Sequence, residues 1–302
     1  MGKKLSIVIC TYSRAPLLEK TLHSLLDLDD IHLAEVIVVD NNSTDNTQQI
    51  VHSFIKNRKD ASSFRYILER KQGLSVARNT GVKASRSEII AFLDDDAIPV
   101  KGWATSILQT FHTYSEAYAI GGIIRPNFES ERPDWLIKPF ELPYTIVDLG
   151  NEMMLYPPKL YPFGANMAFR KSVFDKYLFP EELGRKGASL ISGEESWLFG
   201  QFKKEKWQVY YVPSMAVFHF IPKERLKKEW ITKRYYYQGV SYSYTSKTFA
   251  EKAKLIAITC VKLVYNWMSS LVSWSEGDKL LNRCRQESIR GTFVTLTTKS
   301  EG

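Results

Sequence analysis

Three cysteines in 302 residues, Cys10, Cys260 and Cys284, are too few and too far apart for a disulfide framework, and no C-x-x-C pair offers a zinc or redox site. A reduced, cytosolic setting is the expectation. Glycine is missing where a nucleotide fold often needs it. After the first apolar run the chain reads Thr11-Tyr12-Ser13-Arg14-Ala15-Pro16, which provides neither a dinucleotide fingerprint nor a P-loop, so any bound phosphate must be neutralised in another way. Long apolar runs are also absent. Ala253 to Trp274 comes nearest and is broken by Lys262, while Leu5–Cys10 is too short for a signal-peptide core and has no cleavage-site pattern, so no export is expected.

What is present begins with a hydrophobic content of 44%, ordinary for a folded protein, on a chain long enough for one substantial core and a smaller appendage. The net charge of +8 favours an anionic partner: nucleic acid, an anionic membrane surface or a phosphorylated substrate. Charge alone does not select among them.

Apolar runs alternate with helical segments as in an α/β protein. Leu5–Cys10, Glu35–Val39, Phe64–Leu68 and Glu88–Leu93 read as strands of a sheet covered on both faces, with helices expected near Pro16–Leu26, Asp45–Asn57 and Leu74–Ala84. Pro16 suits a first helical turn, and Ser43, Thr44 and Asp45 are candidate caps.

Polar residues stand at the strand ends: Thr11 to Arg14, Asp40 to Ser43, and Asp94-Asp95-Asp96. In open parallel sheets the carboxyl ends of the strands border the ligand crevice, so these groups should converge. Three adjacent carboxylates gain nothing from packing and repel one another, so they call for a cation. Mg2+ or Mn2+ would meet that need, because both take carboxylate oxygens and bridge to phosphate.

Five segments, "SIVICTYSR", "VIVVDNNSTDNT", "GLSVARNTGV", "AFLDDDA" and "SGEESWL", in this order and spacing, resemble a family 2 glycosyltransferase over roughly residues 5 to 222. The resemblance implies a GT-A fold: a single Rossmann-like nucleotide-sugar-binding domain with a mixed central sheet. It also implies a nucleotide-sugar donor, a Mn2+ or Mg2+ cofactor, and hexose transfer with inversion. By position, Thr11, Tyr12 and Asp40 would surround the base and ribose, with Arg14 and Arg78 at the nucleotide. Asp94 would face the ribose, Asp96 would bind the metal, and Asp95 would serve either role. His219 stands where some members place a metal or diphosphate contact, and it reads equally as a core histidine. Tyr12 and Asp40 resemble the positions of uridine-dependent members, so UDP is the expected nucleotide.

Transfer needs a base opposite the leaving group to take the acceptor's proton. Glu195 is the candidate, with Glu194 the alternative one register earlier. The family pattern is Gly-Glu-Asp, and Gly193-Glu194-Glu195 departs from it by one methylene. Ser192 to Glu195 also reads as a capping box, a purely local role for the same side chain. Two rival functions remain: a scaffold that binds nucleotide sugar without catalysis, and an aspartyl-nucleophile phosphatase using Asp94 and Asp96. The second is disfavoured by Ile98 where Thr or Val is usual.

The aromatic and proline-rich segment Ile123 to Tyr161 would either line an acceptor site or pack a long loop. Beyond it, "YPFGANMAFR" supplies Gly164, Asn166 and Arg170; Asn166 is expected to touch sugar and Arg170 to be structural. The catalytic domain is placed at 1–222, with a nucleotide-binding half of about 1–100 and an acceptor-binding half of about 101–222. A helical extension follows at 223–302, with a basic run over Lys223–Arg234. In its apolar helix Thr259, Lys262, Asn266, Ser269, Ser270 and Ser273 form a stripe opposite a broad face of Leu255, Ile258, Val261, Val264, Tyr265, Met268, Leu271 and Val272. Such a helix suits an interface better than a span. The Gln-x-x-Arg-Trp signature of processive relatives is absent. The expected acceptor is therefore a saccharide or polyprenyl-linked saccharide extended by one sugar per encounter, at the inner face of an anionic membrane, with no nucleic-acid partner.

Overall fold

A seven-residue strand, Leu5–Thr11 (β1), opens the fold and is buried along almost its whole length. Continuous burial of this kind requires cover on both faces, which is why its sequence is apolar without alternation. The computed structural model describes residues 3–298 apart from Asp29, Lys59, Ala188, Lys247 and Ser273, and excludes the side chains of residues 297 and 298. Further strands are β2 (Ala34–Asp40), β3 (Phe64–Leu68), β4 (Ile89–Leu93), β5 (Ala97–Pro99), β6 (Ala117–Gly121), β7 (Ile124–Phe128), β8 (Met154–Leu155), β9 (Asn166–Arg170), β10 (Gln208–Tyr211) and β11 (Val217–Ile221). The helices are α1 (Ala15–Leu26), α2 (Thr47–Lys56), α3 (Leu74–Ala84), α4 (Trp103–Thr113), α5 (Glu194–Glu205), α6 (Lys228–Thr245), α7 (Phe249–Leu271) and α8 (Glu276–Thr298).

The main sheet has the order β3-β2-β1-β4-β9-β6-β10-β8. Its first four strands are parallel, and β9 runs antiparallel to both β4 and β6, so the sheet is mixed. A smaller sheet has the order β5-β11-β7. Along β1 the side chains divide between two cores. Leu5, Ile7 and Ile9 join Leu18 and Leu22 of α1, Val51 of α2 and Trp103 of α4, whereas Val8 joins Ala77 of α3, Phe92, Phe169 and Leu198 of α5. At about 1.5–3 kcal/mol for each buried aliphatic side chain, this double burial fixes the register of β1.

Two compact units divide the chain: residues 1–127, 146–182 and 194–220 form one, and residues 128–145, 183–193 and 221–302 the other. In the second unit α6 and α8 approach closely at glycines. A Cβ on Gly239 would lie 1.9 Å from Ser288 O, and one on Gly291 2.2 Å from Tyr236 O. Of the aromatic segment, residues 128–145 belong here and the rest to the first unit; within this part Phe140 meets Tyr235 edge-on and Tyr144 stacks on Trp230 at 5.0 Å. A capping box forms at the start of α7, where Thr248 Oγ1 accepts the Glu251 N–H and Glu251 accepts the Thr248 N–H. At Ser192–Glu195 the register differs from expectation: α5 begins at Glu194, so Glu195 is its second residue and not the third that a capping box uses. Glu195 turns to other partners, and the Ser192 N–H donates to Ser241 Oγ at 3.0 Å.

Candidate active site

The parallel strands β1, β2 and β4 end together, which gathers the polar segments that follow them. Asp45, in the loop after β2, secures this edge. Its Oδ2 accepts the Ala15 N–H opening α1 at 3.0 Å and its Oδ1 accepts the Thr47 N–H opening α2 at 3.1 Å. Carboxylates at both helix N-termini meet otherwise unpaired donors. Asp40, at the end of β2, is buried; Oδ1 accepts the Ser43 N–H and Oδ2 the Tyr66 hydroxyl, each at 2.8 Å. Tyr12, the residue after β1, is exposed.

The three aspartates after β4 divide their work. Thr11 Oγ1 donates to Asp95 Oδ2 at 2.7 Å, and Arg14 Nη1 donates to Asp95 Oδ1 at 2.5 Å. The second Arg14 nitrogen donates to Asp96 Oδ2. Burial pushes the Asp95 carboxyl up to about 6, against the pull of Arg14. Asp94 is also raised, by burial first and by Asp96 next. Desolvation works against the Arg14 charge, but Asp95 and Asp96 outweigh it and hold the guanidinium protonated.

His219 reaches the cluster because β11 pairs antiparallel with β5, the strand immediately after the aspartates, placing His219 opposite Ala97. The Phe220 N–H donates to Asp96 O at 2.9 Å, which locks that register. His219 Nε2 then lies 3.3 Å from Asp96 Oδ1. Ligand atoms of Asp94, Asp96 and His219 all fall within 4.8 Å of one another. Two carboxylate oxygens and an imidazole nitrogen fit a divalent cation, and the nitrogen suits Mn2+ better than Mg2+, which prefers all-oxygen sets.

A second charged group forms around Arg78 of α3. Arg78 is 3% exposed, with Nη1 donating to Glu194 Oε1 at 3.0 Å and Nη2 to Glu195 Oε1 at 3.1 Å. The Gly164 N–H also donates to Glu195 Oε1, at 2.9 Å. Gly164 cannot carry a side chain here: a Cβ would lie 1.9 Å from Arg78 Nη2 and 2.8 Å from Glu195 Oε1. The Glu194 side chain is 4% exposed and its Oε2 has no hydrogen-bond partner among the described residues, whereas the side chain of Glu195 is 16% exposed. Glu195 is therefore the more accessible carboxylate. Burial, then Glu194, raises its pKa, while Arg78 and the Gly164 N–H oppose the rise.

Of the residues expected at the site, Thr11, Arg14, Asp95 and Asp96 form one hydrogen-bonded group, to which Asp94 and His219 add their ligand atoms, and Arg78 joins both glutamates. Asn166 lies apart from both groups. It is fully buried, Oδ1 accepts from Trp103 Nε1 at 2.9 Å, and Nδ2 donates to Ile123 O and Met215 O at 3.0 and 2.7 Å. Those three bonds tie the buried amide of β9 to the first residue of α4 and to the backbone just before β7 and β11. Arg170 is structural as expected, donating to the carbonyls of Ala117, Phe111 and Tyr114. Sequence reasoning missed Asn41, which pins the crevice: Nδ2 donates to Lys71 O at 2.8 Å and Oδ1 accepts the Gly73 N–H at 2.8 Å. Its position in "DNNS" is a weak signal, because asparagine there also suits a simple turn.

Residues 6–178 match Glycosyl transferase family 2. Among curated proteins, a glucosyl-dolichyl phosphate glucuronosyltransferase of Haloferax volcanii is 25% identical over 250 residues, covering 79% of this chain and 76% of that one. A chondroitin synthase of Escherichia coli is 26% identical and covers 97% of this chain but 45% of its own length. Among solved structures, a mannosyltransferase of Pyrobaculum calidifontis in complex with GDP-Man and Mn2+ superposes with a TM-score of 0.66 at 16% identity, covering 97% of this chain and 87% of that one.

Proposed function

The chain belongs to glycosyl transferase family 2 and has the GT-A fold, and on that premise we propose that it is an inverting, divalent-metal-dependent hexosyltransferase using a UDP-sugar. The acceptor is a hydroxyl of a saccharide or polyprenyl-linked saccharide at an anionic membrane surface, where a polysaccharide or glycoconjugate is built. The lipid-linked class is supported by the name of the Haloferax relative. Residues 1–222 form the catalytic domain, and 223–302 an extension.

The observation that carries this reading is the meeting of Asp94, Asp96 and His219 at the crevice edge. When bound there, Mn2+ or Mg2+ would neutralise the diphosphate leaving group. Asp40 and Tyr12 flank the base and ribose. Arg14, partly exposed and paired with Asp95 and Asp96, supplies positive charge near the phosphates. Glu195 accepts the acceptor hydroxyl's proton as that oxygen attacks the anomeric carbon and the bond to the diphosphate breaks. The raised pKa of Glu195 brings it nearer neutral pH, which favours a general base. Arg78 and the Gly164 N–H hold the carboxylate in place.

The test is a panel of UDP- and GDP-sugars with Mn2+, scored by release of nucleoside diphosphate with and without saccharide acceptor, and by the mass of the extended product. Acceptor-dependent release from a UDP-sugar is expected. Donor binding with no release from any sugar would identify the non-catalytic scaffold instead.

A further inference from the structure

Helix α7 meets its neighbours through polar groups and turns its apolar groups outward, the reverse of a helix packed in water. Thr259 and Asn266 are its buried residues. Asn266 Nδ2 donates to Asn282 O at 3.2 Å and Ser269 Oγ to Asn282 Oδ1 at 3.0 Å, both on α8. Lys262 lies on the edge of this seam, its Nζ 4.8 Å from the Tyr242 ring centroid of α6. Ser273, expected on the same stripe, lies outside the described residues. On the remaining surface Val261, Trp267 and Leu271 are 69, 65 and 69% exposed, with Val264, Met268 and Val272 beside them at 50% or more.

At 3.6 residues per turn, the exposed apolar side chains from Ile256 to Val272 cover about 220° of the helix circumference. A helix docked on a protein core uses an apolar stripe of roughly 100°, so one protein partner would leave much of this arc in water. A lipid phase surrounds a helix from several sides at once.

Charge specifies which surface. Residues 223–302 hold 15 Lys and Arg against 7 Asp and Glu, so the chain's whole net charge of +8 lies in this segment and residues 1–222 are balanced. Two copies of so basic a segment repel, whereas anionic headgroups attract it. No helix among the described residues is long and apolar enough to cross a membrane, and α8 carries Arg283, Arg285, Glu287 and Arg290. The pair therefore suits the surface of a bilayer, not its interior.

We propose that α7 docks the protein on anionic membranes by lying in the plane of the headgroup–acyl boundary, its apolar arc in lipid and its polar seam on α8. This deepens the lipid-linked acceptor proposed above and rests on it only for what docking serves. Vesicle binding is read without donor or acceptor, so the two fail separately.

The full chain is sedimented with vesicles of phosphatidylcholine alone or mixed with phosphatidylglycerol. Wild type should bind the anionic vesicles about tenfold more tightly or better, and lose binding as salt rises. Val261→Asp/Trp267→Asp/Leu271→Asp, all at exposed positions, should cut that binding by about tenfold or more at unchanged melting temperature. Should that variant fail to fold, an environment-sensitive fluorophore on the exposed Cys260 of otherwise wild-type protein reports the same event, and its emission should shift blue on anionic vesicles. Wild-type binding by the triple variant, or no spectral shift at Cys260, would overturn the proposal. So would a dimer in the ultracentrifuge that the triple variant splits while wild type ignores both vesicles, because a second copy would then be the occupant.

Discussion

Replacing Gly164 with alanine adds one methyl group at the point where Arg78 and Glu195 meet. The backbone of Gly164 does not lie in the left-handed region, so alanine meets no torsional objection and its effect is steric alone. The new Cβ would lie 1.9 Å from Arg78 Nη2, where ordinary contact begins at about 3.4 Å, so the guanidinium must retreat by roughly 1.5 Å. It has little room, because Nη1 is held by Glu194 in a buried pair. Overpacking costs about 1–3 kcal/mol and opening a buried ion pair about 3–5, so partial relaxation predicts a loss of about 2–4 kcal/mol. At roughly 2–4 °C per kcal/mol, the value for domains of about 150–250 residues, the melting temperature should fall by about 4–16 °C. Turnover should fall about a hundredfold, since the base shifts by an ångström while the nucleotide's contacts remain. Gly200→Ala is the control: the same substitution in α5, with nothing within 4 Å of the added Cβ, should be neutral or stabilising by up to about 1 kcal/mol. Calorimetry and steady-state rates with donor and acceptor measure both. A Gly164→Ala protein with wild-type melting and turnover would refute the packing of Arg78 against Glu195.

Asp96→Asn should remove most Mn2+-dependent activity while the protein stays folded, because one ligand oxygen loses its charge; wild-type rates at limiting Mn2+ would show that the cation lies elsewhere. Arg78→Met should destabilise the fold by about 3–5 kcal/mol, because Glu194 would be left buried without its cation; an unchanged urea midpoint would contradict the buried pair. The acid limb of turnover should lie above the ordinary carboxylate range, since Glu195 is raised by burial and Glu194. Activity is then present above that pKa and lost as pH falls through it. In stability the sign reverses, because a raised carboxyl favours the fold only while protonated, a contribution lost as pH rises. A pH–rate profile whose acid limb sits at an unshifted carboxylate value would argue for a different base.

The parallel half of the sheet was legible because a strand buried on both faces leaves an uninterrupted apolar run, and Phe64–Leu68 and Leu74–Ala84 were read to the residue. The short strands β8 and β10 were not, since two to four residues of "ML" and "QVYY" acquire their state from their partners. At the site, the aspartate cluster was visible as a run of charge with no packing reason. Its clamp by Arg14 and the joining of Arg78 to Glu194 and Glu195 were invisible, because those contacts span 81 to 117 positions and exist only in the folded chain. The surroundings of Asn166 were invisible for the same reason: an amide suited to a sugar is equally suited to three buried backbone and indole partners. The polar stripe of α7 was legible too, but its inward direction depended on Asn282, sixteen residues away, being there to receive Asn266.

The central claim is that Glu195 takes a proton in a transfer from a nucleotide sugar, and the comparison of Glu195→Gln with Glu194→Gln tests it most directly. Glutamine keeps the size of the side chain and an oxygen for the Gly164 N–H but loses the charge paired with Arg78, so melting temperature is measured beside turnover to separate the two effects. Product formation from donor and acceptor is measured beside donor affinity for both variants. Glu195→Gln should lower turnover about a hundredfold or more with donor affinity nearly unchanged, because an amide cannot accept the proton. Near-normal turnover in Glu195→Gln would contradict the account, assigning the base to Glu194 if that variant alone is dead and leaving the reaction without its proposed base if both stay active.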